Sequence, residues 1–342
     1  MMRVLVARLD SVGDVLLSGP AVRAVAAGAD EVWMLCGPQG APAAALLPGV
    51  DRVLTWAAPW IVSPAPAFTP ESARELLTVL DDCRPDAAVI LTSFHQSPLP
   101  LAALLRLAGV PRITGASVDY AGSLLDVRLK PGEDFPEDQP EAIRALRIAA
   151  AAGFAAPADD RLALTGIPER SSAAPEGRYV VVHPGASVPA REWPAAHHER
   201  LVAELARRGN TVVVTGTPAE TALTARVAGR HGIDIGGRTD LRELAAVLAG
   251  ADAVIVGNTG PAHLAAAVGV PVVSLFSPVV PAARWAPWRV PCVVLGDQDA
   301  ACRGSRARDC PIAGHPCLAS VQPSEVADAC ESLIAESEGA LL

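Results

Sequence analysis

Val256–Pro278 reads VGNTGPAHLAAAVGVPVVSLFSP. An apolar run ends in Gly257-Asn258-Thr259-Gly260. An alanine-rich segment of helical length follows, then a second apolar run, Val272–Phe276. Strand, glycine-bearing turn, helix and strand is the repeat of a parallel sheet covered by helices. In such sheets ligands sit at the carboxyl ends of strands, beside helix N-termini.

The same rhythm extends outward in both directions. Upstream in the second half, strands are expected at Tyr179–His183, Thr211–Thr215, Asp234–Ile235 and Ala253–Val256, with helices at Ala195–Arg208, Pro218–His231, Leu241–Gly250 and Ala262–Val268. In the first half, strands are expected at Arg3–Ala7, Glu31–Leu35, Asp51–Trp56, Ala87–Leu91 and Arg112–Gly115. Helices there are expected at Ser18–Ala27, Glu71–Cys83 and Leu99–Ala108. Between the halves the pattern breaks in a stretch rich in Pro, Ser and Gly. The division expected is a first domain over 1–155, a linker over 156–177, a second domain over 178–325, and a C-terminal helix and tail over 326–342. Two doubly wound α/β sheets with a cleft between them follow from this reading.

Composition bounds the partners. The chain has 342 residues, long enough for two domains, and 51% of them are hydrophobic. Aromatic residues are only 4%, so Ala, Val and Leu must fill the cores. Lys130 is the sole lysine among 28 basic residues, a bias that points to a GC-rich genome and not to chemistry. Net charge is −9, with 19 acidic and 12 basic residues in positions 1–160, or −7. Nucleic acid and anionic membranes are disfavoured as partners, because both need a basic face. The asymmetry suits a neutral or cationic ligand on the first half, or simply solubility. No signal peptide and no apolar window of transmembrane length is evident, so a cytoplasmic protein is expected. Seven scattered cysteines argue against a disulfide framework.

Four strand-to-helix junctions hold candidate chemistry. In Arg8-Leu-Asp-Ser-Val-Gly-Asp14, Gly13 permits a tight turn between Asp10 and Asp14. Asp14 reads either as a helix cap or as a general base. In His183-Pro-Gly-Ala-Ser187, followed by Arg191-Glu-Trp-Pro194, backbone N–H groups, Ser187 and Arg191 could cradle phosphate. A glycine turn with a surface arginine is the plainer alternative. In Thr215-Gly-Thr-Pro-Ala-Glu220, Gly216 turns the chain, and Glu220 suits either a ribose hydroxyl or a helix cap. In the opening stretch, Asn258, Thr259 and Gly260 head a helix whose positive end favours an anion, and His263 lies on its first turn. Three anion-suited junctions in one domain imply a diphosphate.

Other nucleotide motifs are missing. There is no GxxxxGK[S/T] loop and no GxGxxG after the first strand, which argues against a P-loop NTPase and a dinucleotide oxidoreductase. Asp297-Gln298-Asp299 matches DxD but lies in a polar loop and reads as ordinary surface. Cys302, Cys310, His315 and Cys317 are zinc-ligand types without zinc-finger spacing, and no metal site is expected.

RLDSVGDVLLSGPAVRAV, VVHPGAS, REWP, VVVTGTPAE, the run GRTDLRELAAVLAGADAVIVGNTGPAHLAAAVGVPVVSLFSP and the late HPCL together resemble the ADP-heptose glycosyltransferases of family 9. The resemblance spans both halves in order. It implies a GT-B fold, with two Rossmann-like domains binding acceptor first and sugar nucleotide second, and inverting, metal-independent transfer with no cofactor beyond the ADP-sugar donor. Carried over by motif, Asp14 is the general base, with Asp10 and Gly13 on the acceptor side. Ser187, Arg191, Gly216, Glu220, Asn258, Thr259, Gly260 and His263 face the donor nucleotide and diphosphate. The family usually has Asp where this chain has Asn258, which opens the identity of the donor sugar. The acceptor implied is a hydroxyl-bearing molecule. The acidic first half favours a soluble, amine-bearing natural-product intermediate such as an aminocyclitol. A lipopolysaccharide core or other envelope glycan is the alternative acceptor. A GT-B sugar-nucleotide epimerase and a non-catalytic sugar-nucleotide binder are the rival functions.

Overall fold

Strands buried on both faces need near-continuous apolar runs, and this chain supplies them. Val4–Ala7 and Val180–Val182 are almost wholly excluded from solvent. In the computed structural model, which describes residues 1–339, the chain divides into two units, Met1–Thr165 and a second from Gly166 onward.

The first unit runs β1 (Arg3–Arg8), α1 (Val12–Leu17), α2 (Gly19–Ala26), β2 (Glu31–Cys36), α3 (Ala41–Ala44), β3 (Arg52–Thr55), α4 (Pro70–Cys83), β4 (Ala87–Ile90), α5 (Leu99–Leu107), β5 (Ile113–Ala116), β6 (Val127–Leu129) and α6 (Glu141–Ala151). The second runs β7 (Val180–His183), α7 (Ala195–Arg207), β8 (Val212–Val214), α8 (Thr221–Ala228), β9 (Ile233–Asp234), α9 (Leu241–Ala249), β10 (Ala253–Gly257), α10 (Gly260–Ala267), β11 (Val272–Leu275), α11 (Ala282–Trp285), β12 (Cys292–Leu295), α12 (Pro316–Ala319) and α13 (Pro323–Gly339).

All strand pairs are parallel, in the orders β3-β2-β1-β4-β5-β6 and β12-β11-β10-β7-β8-β9. This is the doubly wound α/β arrangement expected from the sequence, built twice. Strand order reverses between β1 and β4 in one sheet and between β7 and β10 in the other. The carboxyl ends of those four strands are therefore where a ligand finds a crevice.

Each unit has its own core. Leu5, Ala7, Leu35, Ile90, Leu101 and Ile113 belong to the first, and Val182, Val214, Ile255, Val273, Leu275 and Leu318 to the second. Helix starts follow local chemistry. Thr69 and Ser72 close a capping box on α4, and Asp240 and Glu243 close one on α9.

Several local expectations are corrected. The helix expected at Ser18–Ala27 is α2, but a further short helix, α1, precedes it, and Asp14 lies inside that one. Gly13 is buried within α1 and does not form a turn, because the helix already begins at Val12. The helix expected over Pro218–His231 is a 3-10 turn at Pro218–Glu220 followed by α8. The short elements β6 and β12, and helix α6, were not expected from the sequence pattern. The expected C-terminal helix is α13, beginning at Pro323, while the tail at 340–342 lies outside the described residues.

Candidate functional site

At the reversal point of the first sheet, β1 ends on Arg8, whose side chain is 2% exposed. A guanidinium so deep must be neutralised, and three carboxylates surround it. Arg8 Nη2 donates to Asp14 Oδ1 at 2.9 Å. Arg8 Nε lies 2.7 Å from Asp10 Oδ2, in contact as an ion pair but not aligned as a hydrogen bond. Nη1 and Nη2 both reach Glu141 Oε2 at 3.3 Å.

Two polar side chains from the loop after β4 complete the group. Ser93 Oγ accepts from Arg8 Nη2 at 2.6 Å and donates to Glu141 Oε2 at 3.2 Å. Gln96 Nε2 donates to Asp10 Oδ1, and Gln96 Oε1 accepts from the Ser93 amide at 3.2 Å. Asp14 is not a cap. The N-cap of α1 is Ser11, whose Oγ donates to Asp14 Oδ2 at 2.9 Å. Burial pushes the Asp10 and Glu141 carboxyls above their ordinary range, against the pull of Arg8. Of the three acids, Asp14 is the most open to solvent, with a side chain 21% exposed.

Arg8, Ser93, Gln96 and Glu141 were not singled out by sequence. Glu141 had a signal: Pro140-Glu141 opens a segment whose Ala142, Ala145, Leu146 and Ala149 recur at helical spacing and are buried.

The reversal point of the second sheet gathers most of the predicted donor residues. Arg191, in a 3-10 turn after β7, donates through Nη1 to the backbone oxygen of Asn258 at 3.3 Å. Asn258 follows β10, is 5% exposed, and its Oδ1 accepts from the Ser277 amide at 3.4 Å. Its Nδ2 is buried and has no hydrogen-bond partner among the described residues. A buried amide donor left open in this way needs an acceptor.

Thr259 caps α10 in extended conformation with no side-chain bond to the helix, and its Oγ1 lies 3.5 Å from the Gly257 oxygen. Gly260 and Pro261 form the first turn, where helical N–H groups lack internal acceptors. His263 is buried on that turn.

Glu220 is placed by capping. Its Oε2 accepts from the Thr217 amide at 2.7 Å and from Thr217 Oγ1 at 2.8 Å. Gly216 passes close to Thr224, and Gly185 close to the Glu220 carboxylate. Ser187 lies exposed on the loop after β7. His183, at the end of β7, is buried with Nδ1 2.9 Å from Thr215 Oγ1. Burial lowers its proton affinity, partly offset by Glu220. Glu192 is raised by burial and by the Glu220 charge.

The remaining motifs have local explanations. Asp297 Oδ1 accepts from the Asp299 amide at 2.9 Å, and Asp299 pairs with Arg303 at 2.9 Å, a turn on the surface. Cys302 and Cys317 are buried in the second core. Among the described residues no group of three or more His, Cys, Asp or Glu side chains is arranged to hold a metal. No helix among them is long and apolar enough to cross a membrane.

Comparison with known proteins bears on the family and the fold. The chain is 36% identical over 113 residues to a lipopolysaccharide heptosyltransferase 1 of Pseudomonas aeruginosa, covering 32% of each chain. It is 24% identical over 163 residues to a lipooligosaccharide heptosyltransferase 2 of Campylobacter jejuni, covering 46% of this chain and 51% of that one. These matches thus span about a third to a half of the relatives' length.

Among solved structures, E. coli ADP-heptose lps heptosyltransferase II superposes with a TM-score of 0.76 at 21% identity, over 98% of this chain and 100% of that one. E. coli heptosyltransferase WaaC with ADP gives 0.70 at 20% identity, over 97% and 100%. The fold is therefore GT-B. Residues 97–314, which include the Ser93–Gln96 loop's continuation, Glu141 and the whole Arg191–Asn258–α10 group, match the family model of glycosyltransferase family 9 (heptosyltransferase). With that match covering more than half of the chain, it belongs to glycosyltransferase family 9, the heptosyltransferase family.

Proposed function

We propose that this chain is an inverting glycosyltransferase that moves a heptose from an ADP-heptose-type donor to a hydroxyl of a soluble, amine-bearing acceptor, such as an aminocyclitol intermediate of a natural product. The observation that carries the donor half is the group around Asn258. The open Asn258 Nδ2, the Arg191 guanidinium and the N-terminus of α10 offer donors to an anionic, oxygen-rich ligand. The family relative solved with ADP supports adenine nucleotide as the carrier.

In this reading the acceptor oxygen attacks the anomeric carbon as the Asp14 carboxylate takes its proton. The bond from that carbon to the diphosphate breaks, and its electron pair stays on the leaving oxygen. One displacement inverts the anomeric centre. Arg191, Thr259 and the first-turn N–H groups of α10 stabilise the departing charge, typically a large share of such catalysis. No metal is assigned a role, so a chelator should leave the rate unchanged.

The acceptor half rests on charge. The loops following β1, β5 and β6 carry Asp10, Asp119, Glu133, Asp134, Glu137 and Asp138. Their one lysine, Lys130, is paired with Glu133 at 2.9 Å. Arg8 and Arg144 are buried and ion-paired. Such a rim attracts a cationic acceptor and repels a phosphorylated one. A second reading, transfer to an envelope glycan, is favoured by the names of the curated relatives.

The test starts with melting temperature in ADP, UDP, GDP, dTDP and ADP-heptose, since a ligand of the folded state raises it. Transfer from ADP-heptose is then compared between an aminocyclitol acceptor and its deaminated analogue. Selective stabilisation by the adenine nucleotides, and slower transfer without the amines, are expected. Stabilisation by another nucleotide removes the donor assignment, and equal rates remove the acceptor assignment.

A further inference from the structure

The Arg8 group carries more acid than its one cation can balance. Arg8 is surrounded by Asp10, Asp14 and Glu141, and full ionisation would leave two net negative charges in a water-poor site. Such a set holds a proton somewhere. The three acids are not equivalent. Asp10 has both oxygens engaged, Oδ1 by Gln96 Nε2 and Oδ2 by Arg8 Nε at 2.7 Å. Asp14 also has both engaged, Oδ1 by Arg8 at 2.9 Å and Oδ2 by Ser11 Oγ at 2.9 Å. Glu141 is the deepest, with a side chain 1% exposed. Its contacts are the longest of the three, at 3.2 and 3.3 Å, and all fall on Oε2.

We propose that Glu141 is the protonated member of the group, a neutral carboxylic acid at neutral pH with its proton on Oε1, and that it positions Asp14 by steadying Arg8 without competing for its charge. The Arg8 charge is then divided between Asp10 and Asp14. Asp14, the most open of the three, stays ionised and able to accept a proton. Among the described residues, Arg144 on the same helix also acts on the Glu141 charge. Arg144 donates to the Thr92 carbonyl at 2.9 Å, stacks over Phe135 at 5.0 Å, and sits 3.5 Å from Glu137, which draws off its charge. The role given to Asp14 rests on the proposed glycosyl transfer, but the protonation of Glu141 does not.

The experiment is infrared spectroscopy of the intact protein through a pH titration, without substrate. A protonated carboxylic acid absorbs apart from carboxylates. The wild-type minus Glu141→Gln difference spectrum should contain that carbonyl band at neutral pH. In Asp14→Asn one negative charge is gone, and the midpoint of the band should fall by about one pH unit or more. No band in the difference spectrum places the proton elsewhere and overturns the proposal. A midpoint unmoved in Asp14→Asn removes the coupling to Asp14. Because no turnover is measured, failure of glycosyl transfer would leave these results standing, and failure here would leave the transfer reading standing.

Discussion

A β-carbon added at Gly185 would lie 1.9 Å from Oε1 of Glu220 and 2.4 Å from its Cδ. Only glycine fits where the loop after β7 passes this carboxylate. The carboxylate cannot simply swing away, because its other oxygen holds the Thr217 amide and hydroxyl. Gly185→Ala should break those bonds and cost about 1–3 kcal/mol. Denaturant unfolding measures it. In Gly185→Ala/Glu220→Ala the clash is gone, so the double variant should lose less than the two single losses added together. Simple additivity would mean that the loop relaxes without touching Glu220.

Asp14→Asn keeps an acceptor for Arg8 but cannot take a proton. If Asp14 is the base, kcat should fall at least ~100-fold with little change in melting temperature. Steady-state kinetics and a melting curve on the same preparation separate the two effects. A near-normal rate would transfer the role to another group.

Arg191→Ala removes the guanidinium that holds the Asn258 carbonyl. A lost charge-assisted bond of ~1.5–3 kcal/mol should weaken ADP binding by roughly tenfold to a hundredfold. Arg191→Lys should recover only part of this, since lysine keeps the charge without the planar fork. Calorimetry with ADP gives the numbers, and unchanged affinity in the alanine variant would place the diphosphate away from Arg191.

His198 is buried on α7, with its ring edge-on to Trp193 at 4.8 Å. Burial, with His183 and His197 nearby, pushes its pKa down to about 3. The unfolded chain therefore takes up this proton first. The stabilisation is complete above the unfolded value of roughly 6.5 and is lost as pH falls from there toward about 3. One such histidine gives a slope of up to ~1.4 kcal/mol per pH unit. His198→Phe should flatten the decline between urea unfolding at neutral pH and at mildly acidic pH by about that slope. Parallel curves would show that the neutral ring is not what acid attacks.

The sheets were legible because parallel strands buried on both faces must be apolar throughout, as in Tyr179–His183 and Val272–Phe276. Helix α10 and the residues ahead of it were legible for a related reason, since strand, turn and helix are contiguous in sequence. What escaped had no such local signature. Val127–Leu129 is three residues long with a central arginine, and becomes a strand only by pairing with β5. Gly13 looked like a turn residue because glycine marks turns, yet the packing of α1 takes it into a helix. Glu141 meets Arg8 across 133 positions of sequence. No spacing rule joins them. The sheet does so by bringing α6 back to the end of β1.

The repeated strand order has an evolutionary consequence. Arg8, Ser93, Gln96 and Glu141 all belong to the first unit, and Arg191, Glu220, Asn258 and α10 all belong to the second. Each half carries its own share of the proposed site residues on its own scaffold. Under the proposed roles, recombination near Thr165–Gly166 could exchange one acceptor preference for another while the nucleotide-sugar half is inherited intact.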